Sequence, residues 1–483
     1  MRPRRILHIM LLASILTAGL VSPSLGQSAT NQTWTSSITY YTPSETSGTL
    51  QISYYASNGT SYSANPITLA PHKAGTLFIG SVGTVPDPFS GAAVLSSDVP
   101  VVATYVQFAA GSAGSQYGRI IYTGFSPDNA ASTFYIPTIL YDPPTTGSTS
   151  MVGVQNIESF AASVTLEFYA VGATSPTATK TVVIPAQSSY IFRPGDISGL
   201  TPGFSGSLVI KGVKQDDPST PARVVASSIE TDNAGRGAYG FEGFASGANK
   251  IFMASMLCKA GSDQQTSYYA IQNAGTINAS VTITYYNTAG SVVGTLAPTN
   301  IPPGGKLSTN PCAAGVPAGT SGSAVIESIG APVIAIGKVK ASNGMATAFV
   351  GQAQGYTKVA LPYVRWAATS TTDFRTFIAI MNVGSAPATD IRVRYYDGNG
   401  TMVAEHRVAS NSAPLNPYIK TNSNPQVAGA LSSGQFGFNP PGGAVEIVSD
   451  QPVVVVARAQ RDVSPPLGSV SRFAEDYNGI PIP

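Results

Sequence analysis

Charge is scarce in this chain. Asp, Glu, Lys and Arg make up 10 % of its 483 residues, where an ordinary soluble domain carries roughly 25 %. Ser, Thr, Asn and Gly must do the solvating instead, which suits an extracellular chain that does not rely on charge for solubility. Beyond the N-terminal arginines no Lys/Arg cluster occurs, so the electrostatic footprint of a nucleic-acid binder is missing. Histidine is nearly absent. Past residue 26 only His72 and His406 remain. They lie far apart, which excludes a His-rich metal site, and both read as solvated side chains. No GxSxG elbow, HExxH helix or phosphate loop occurs. The acids Asp216, Asp217, Glu230, Asp232, Asp373 and Asp390 are scattered. They show neither a converging pair for glycoside hydrolysis nor the spacing of an EF-hand calcium loop. The expectation is a protein that is not an enzyme, with no catalytic residue, no cofactor and no metal site. Helix-period apolar patterning is lacking too.

One long apolar run exists, at the N-terminus. Arg2, Arg4 and Arg5 precede it, Ile6 to Val21 form it, and Ser24-Leu25-Gly26 supplies small residues for cleavage. At about 16 residues it is short for a membrane span, which needs about 20. Residues 1–26 therefore read as a signal peptide cleaved near Gly26; the alternative is an uncleaved anchor. No Cys follows to take a lipid, and no second apolar span is present. Cleavage removes three arginines from a formal charge of +2 and leaves about −1. The expected location is secreted, extracellular or on the cell surface, with no membrane span after cleavage.

What the chain has in abundance is repetition. Four strands end in an aromatic pair: Tyr54-Tyr55, Phe168-Tyr169, Tyr285-Tyr286 and Tyr395-Tyr396. Each closes an alternating run and precedes a turn rich in Gly, Asn or Ser, such as Asn58-Gly59 and Asn399-Gly400, where Asn-Gly favours a type I′ hairpin. Later comes a glycine-led apolar strand beginning at Gly91, Gly206, Gly322 or Gly443. The period of about 110 residues is the size of a small domain, not of a solenoid unit. Seven or eight short strands per period, with turn signals every 8–12 residues, indicate a sandwich. The predicted fold is all-β: a tandem array of four immunoglobulin-like β-sandwich domains. Their boundaries are 27–128, 129–247, 248–356 and 357–476, followed by a strand-like tail at 477–483. The polar stretch Gln215 to Pro221 reads as a protruding loop. Linkers of under ten residues suggest a rod with limited hinging.

The aromatic-pair strand, the Pro-rich turn and the glycine-led strand together resemble the immunoglobulin-like repeats of bacterial secreted and surface proteins. That resemblance covers essentially the whole chain after residue 26. It implies a stalk, adhesin or fibre subunit.

Two cysteines are present, Cys258 and Cys312. Export to an oxidising compartment and an even count predict a bridge between them. Leading strands raise a question of phase. The bodies of domains two, three and four are preceded by Tyr135-Ile136-Pro137-Thr138-Ile139, Phe252-Met253-Ala254-Ser255-Met256 and Ala360-Leu361-Pro362-Tyr363-Val364. The first domain lacks such a strand, while the chain ends in the similar Gly479-Ile480-Pro481-Ile482-Pro483. Either each leading strand belongs to the body before it, or it belongs to the body after it. In the second case the tail of one molecule could complete the first domain of the next, inserting near an acceptor edge at Ile38 and Tyr40. The functional expectation is a secreted structural protein of the cell surface or an extracellular filament, self-associating head to tail. A second reading is an adhesin that binds a glycan or protein from an immunoglobulin-like stalk.

Overall fold

The computed structural model describes residues 7–11, 33–110, 116–142, 147–232, 237–368, 373–467 and 470–483. The expected cleavage site at Ser24-Leu25-Gly26 lies outside them. The described chain is all-β, 62 % strand in several sheets, with no α-helix. The cause is visible in the aromatic-pair strands Gly48–Ala56, Ala162–Ala170, Ala279–Asn287 and Ile391–Asp397. Successive side chains in a strand point to opposite faces. Leu50, Ile52 and Tyr54 are therefore buried together, and so are Val164, Leu166 and Phe168. The same holds for Val281, Ile283 and Tyr285, and for Ile391, Val393 and Tyr395. Each first aromatic anchors its own cluster of apolar side chains. Truncating a buried ring of this kind to Ala costs roughly 3–5 kcal/mol.

One pairing scheme recurs along the chain. The aromatic-pair strands lie beside the glycine-led strands Gly91–Ser97, Phe204–Lys214, Thr320–Ile329 and Gly443–Leu467. The far side of the glycine-led strand takes a leading strand. Thr133–Tyr141, Lys250–Cys258 and Tyr356–Leu361 each pair with the glycine-led strand that follows them in sequence. A leading strand thus belongs to the body after it. A second layer is built on Thr33–Tyr41, Ser148–Asn156, Thr266–Asn273 and Asp373–Asn382. Each of these is flanked by a short strand on one side and a long strand on the other. A closing strand completes that layer: Gln116–Thr123, Ala238–Glu242, Ala346–Val350 or Val470–Asn478. The insertion at 215–221 is not a free loop, because Asp217–Pro221 pairs back on Phe204–Lys214.

The repeats do not form a rod. Gln116–Thr123 lies against Ala238–Glu242, which lies against Ala346–Val350. That strand lies against Val470–Asn478, which returns to Gln116–Thr123. The four closing strands meet in a cycle, and the last repeat touches the first. Short linkers keep neighbours adjacent, but they do not set the angle between them. The angle is set by side chains that reach across each seam.

The Cys258–Cys312 disulfide is formed, with Cα atoms 5.3 Å apart and a sequence separation of 54. It ties the end of a leading strand to the loop before its own glycine-led strand, where Cys258 already pairs with Thr320. Replacing both cysteines by Ala is expected to destabilise the third repeat by roughly 3–4 kcal/mol in the chain-entropy picture. Urea unfolding followed by hydrogen exchange checks this: protection should fall most in residues 250–350 and little in the first repeat.

Candidate interaction edge and ring seams

The second aromatic of each pair points away from its own core and meets the next repeat. Tyr396 stacks on His72 of the first repeat, with ring centroids 4.7 Å apart. Tyr286 packs on Tyr418 of the fourth at 5.7 Å. Tyr169 covers Gly304 of the third so closely that a Cβ there would lie 2.8 Å from its ring. Tyr55 and Gln187 of the second repeat line a shared cavity of about 390 Å³. His72, Gln187, Gly304 and Tyr418 hold one turn position in successive repeats, and all are left-handed, with φ of 52°, 59°, 70° and 66°. A non-glycine residue in that region is disfavoured by about 1–2 kcal/mol. The rings that cover three of these turns hold them in place. The match runs first to second, second to third, third to fourth and fourth to first.

The hairpins that follow the aromatic pairs are shaped for this contact. Gly59, Gly172, Gly290 and Gly400 have φ of 91°, 79°, 93° and 89°, whereas Asn58 and Asn399 are not left-handed. The turn is therefore a type I turn closed by glycine and not the expected type I′, which needs positive φ at both central residues. A Cβ on Gly400 would sit 2.2 Å from the carbonyl oxygen of Pro71, so only glycine lets this hairpin reach the first repeat.

Charge is buried where the repeats meet. Arg119 of the first repeat donates to both carboxylate oxygens of Glu475 in the fourth at 2.7 Å, and to Tyr363 Oη at 3.1 Å. Burial acts to lower the Arg119 guanidinium, but Glu475 and Tyr363 outweigh it and hold the pKa above its usual value. Glu230 of the second repeat, wholly buried, pairs with Lys338 of the third. Glu242 accepts from the backbone N–H and hydroxyl of Thr123, and burial raises its carboxyl above the ordinary range. Arg458 grips Asp476 at 2.8 and 2.7 Å and donates to Gln265 Oε1 of the third repeat at 2.6 Å.

Several residues singled out in the sequence take roles other than those expected. His72 is not a solvated turn residue: its Nδ1 lies 3.0 Å from the Tyr41 hydroxyl, which donates to Glu446 at 2.8 Å. His406 bonds Ser423, and burial lowers its pKa. Ile38 and Tyr40 do not form an open edge. Their strand, Thr33–Tyr41, is paired on both sides, by Ala74–Phe78 and Val102–Ala110. The tail pairs within its own molecule, with Ile480 opposite Ala360 and Pro481 opposite Val359. Ile480 and Ile482 pack on a small cluster that includes Tyr41 and Tyr396.

The tail's equivalents are the segments that leave earlier repeats. Gly124, Gly243, Gly351 and Gly479 each donate to the neighbouring strand, at 2.9, 2.8, 2.8 and 2.9 Å. Phe244 and Gln352 then bridge to Tyr135 and Phe252 of their leading strands, as Ile480 does to Ala360. Gly479 to Pro483 are thus an exit segment, not a spare leading strand. Sequence reading matched them by their Ile-Pro pattern and missed the Gly that marks the exit. It also missed Asn156, Asn273 and Asn382, whose side chains donate to the carbonyls of Phe160 and Ile184, Ile277 and Ile301, and Ala386 and Leu415. Their common place at the end of the second strand was the available signal.

The edge that matters lies on Gly91–Ser97. One side pairs with Gly48–Ala56. The other, the leading-strand position, is taken by Leu7–Leu11, antiparallel, with Leu7 opposite Ser97 and Leu11 opposite Ala93. Those five residues belong to the apolar run that reads as a cleavable leader.

No family model matches the chain, and no curated protein does. Among solved structures, Thermotoga maritima 1070 aligns over 25 % of this chain and 92 % of its own, at 13 % identity and a TM-score of 0.19. A mutant of Salmonella alpha-2-macroglobulin aligns over 99 % of this chain and 40 % of its own, at 8 % identity and a TM-score of 0.13. Likenesses this weak say nothing about function, and the chain's own geometry has to carry the reading.

The seam between first and last repeats has a direct test. Glu475→Gln should destabilise the protein by roughly 3–5 kcal/mol, because it strands a buried guanidinium. Adding Arg119→Met should recover much of the loss. Chemical denaturation of the single and double variants measures both; an unchanged midpoint for Glu475→Gln would mean that the pair is solvated.

Proposed function

We propose that the chain is an exported structural protein of four immunoglobulin-like sandwich domains, which builds a cell-surface layer or extracellular filament by accepting a strand from a neighbouring molecule. One observation carries this reading. Three leading-strand positions are filled by the chain segment just ahead of the body, and the first is filled by Leu7–Leu11. Cleavage near Gly26 would remove that strand. Gly91–Ser97 would then present a row of unpaired N–H and C=O groups beside an apolar core, a template for strand addition. The Cys258–Cys312 bridge suits the oxidising compartment that export implies. Among the described residues, the outer edges at Ala178–Ile184, Val292–Ile301 and Met402–Ala409 have one partner each whether or not the N-terminus is cut, whereas the edge on Gly91–Ser97 is the one that cleavage would open to a heterologous contact. The tail is paired within its own molecule, so the donated strand would come from elsewhere in the neighbour.

The test begins with the N-terminus of the exported protein, read by mass spectrometry. A protein starting near residue 27 should self-associate in light scattering, and a peptide of residues 6–12 added during refolding should keep it monomeric. A retained N-terminus, or a cleaved protein that stays monomeric with protected amides at 93–97, would overturn the proposal.

A further inference from the structure

Two lysines occupy one position in successive repeats. Lys306 begins the short strand Lys306–Thr309, and Lys420 begins Lys420–Ser423. Each follows a left-handed turn residue by two places, Gly304 and Tyr418. Both are buried. At the seam between second and third repeats the lysine is satisfied: Nζ of Lys306 donates to Thr138 Oγ1 at 3.0 Å and to Ser205 Oγ at 3.3 Å. Thr138 sits in an irregularity of its leading strand, between Ile136 and Ile139. The next leading strand has the same irregularity between Met253 and Met256, and Ser255 stands where Thr138 stood.

At the seam between third and fourth repeats that contact is not made. The ammonium of Lys420 has no hydrogen bond or ion pair among the described residues. It lines a cavity of about 280 Å³ together with Ser255, Leu257, Phe377 and Val456. The other charged groups at this cavity are Arg458 and Asp476. They neutralise each other through a two-point contact. One uncompensated positive charge remains, 7 % exposed, against an apolar wall. Ligand sites have this make-up, an apolar concavity with a few fixed polar groups, and this volume lies just below their usual range of roughly 300–1,000 Å³, which restricts it to a small ligand.

We infer that this cavity binds a small organic carboxylate, its anionic end on the Lys420 ammonium and its apolar body against Leu257, Phe377 and Val456. Only the excess charge needs an anion, since Arg458 already has its partner. Bare inorganic anions would leave the apolar wall uncovered, and neutral analogues would leave the lysine unpaired. Burial, then the Arg458 charge, lower the Lys420 ammonium to about 8. A carboxylate favours the protonated amine. Affinity should therefore be level from about pH 6 to about pH 8, where the ligand is ionised and the lysine protonated, and fall by up to about tenfold per pH unit above that.

Isothermal titration of the full chain with benzoate tests this, with benzamide as the neutral isostere. Saturable one-to-one binding is expected near pH 7. Lys420→Met should weaken it by at least about tenfold, the worth of a charge-assisted hydrogen bond, whereas Lys306→Met should leave it unchanged. Absence of saturable binding, equal binding of benzamide, or full affinity in a folded Lys420→Met would overturn the inference. Should Lys420→Met not fold, the unmodified protein decides: benzoate affinity that stays constant from about pH 7 to 9.5 would also overturn it.

Discussion

The rest of this structure depends on one contact, the second aromatic of a pair laid over a left-handed turn of the following repeat at three of the four seams. Alternation along a strand sends the first ring inward and the second outward. An outward ring at a strand end, carried on a glycine-closed hairpin, would be an exposed apolar liability in an isolated domain. Here it is covered by His72, Gly304 or Tyr418, or faces the cavity beside Gln187. Because the match recurs in one sense, its geometry accumulates, and the fourth repeat meets the first. Tyr41, His72, Tyr396 and Glu446 then form one hydrogen-bonded and stacked group across that last seam.

A chain with so little charge spends much of it where the repeats meet. Arg119 with Glu475 and Glu230 with Lys338 each join two repeats, and Arg458 with Asp476 lies beside the seam with the third. Buried pairs gain little net stability over apolar packing, because desolvation offsets most of the attraction. A misdocked neighbour, however, would leave a charge buried alone, at a cost of several kcal/mol. The pairs therefore penalise wrong angles more than they reward the right one. Lys420 departs from the pattern: its seam holds a cavity where the equivalent seam holds two hydroxyls.

Edges in this fold are managed by the order of the chain. Each leading strand precedes its body and covers the glycine-led strand, and the exit segments of the second, third and fourth repeats add a short bridge on the leading strand's far side. The first repeat follows the same rule only with residues from the N-terminal apolar run. Leu7–Leu11 occupy a structural position in the chain as described, so retention and removal of the N-terminal run have opposite consequences for the edge on Gly91–Ser97.

By itself the sequence determined the all-β class, the repeat period and the disulfide. All of these follow from local rules: period-2 alternation, turn residues, and two cysteines in one repeat. The phase of the leading strands was narrowed to two readings but not settled, because a strand's neighbours are non-local hydrogen bonds that residue patterns do not name. Only the tertiary structure decided that the array closes on itself, that Ile38 and Tyr40 lie inside a sheet, and that Gly479 to Pro483 pair at home. Closure comes from rigid-body angles between repeats, set by contacts such as Tyr396 on His72 and Arg119 on Glu475, between residues hundreds of positions apart. No local propensity encodes those angles; shape and charge at the seams do.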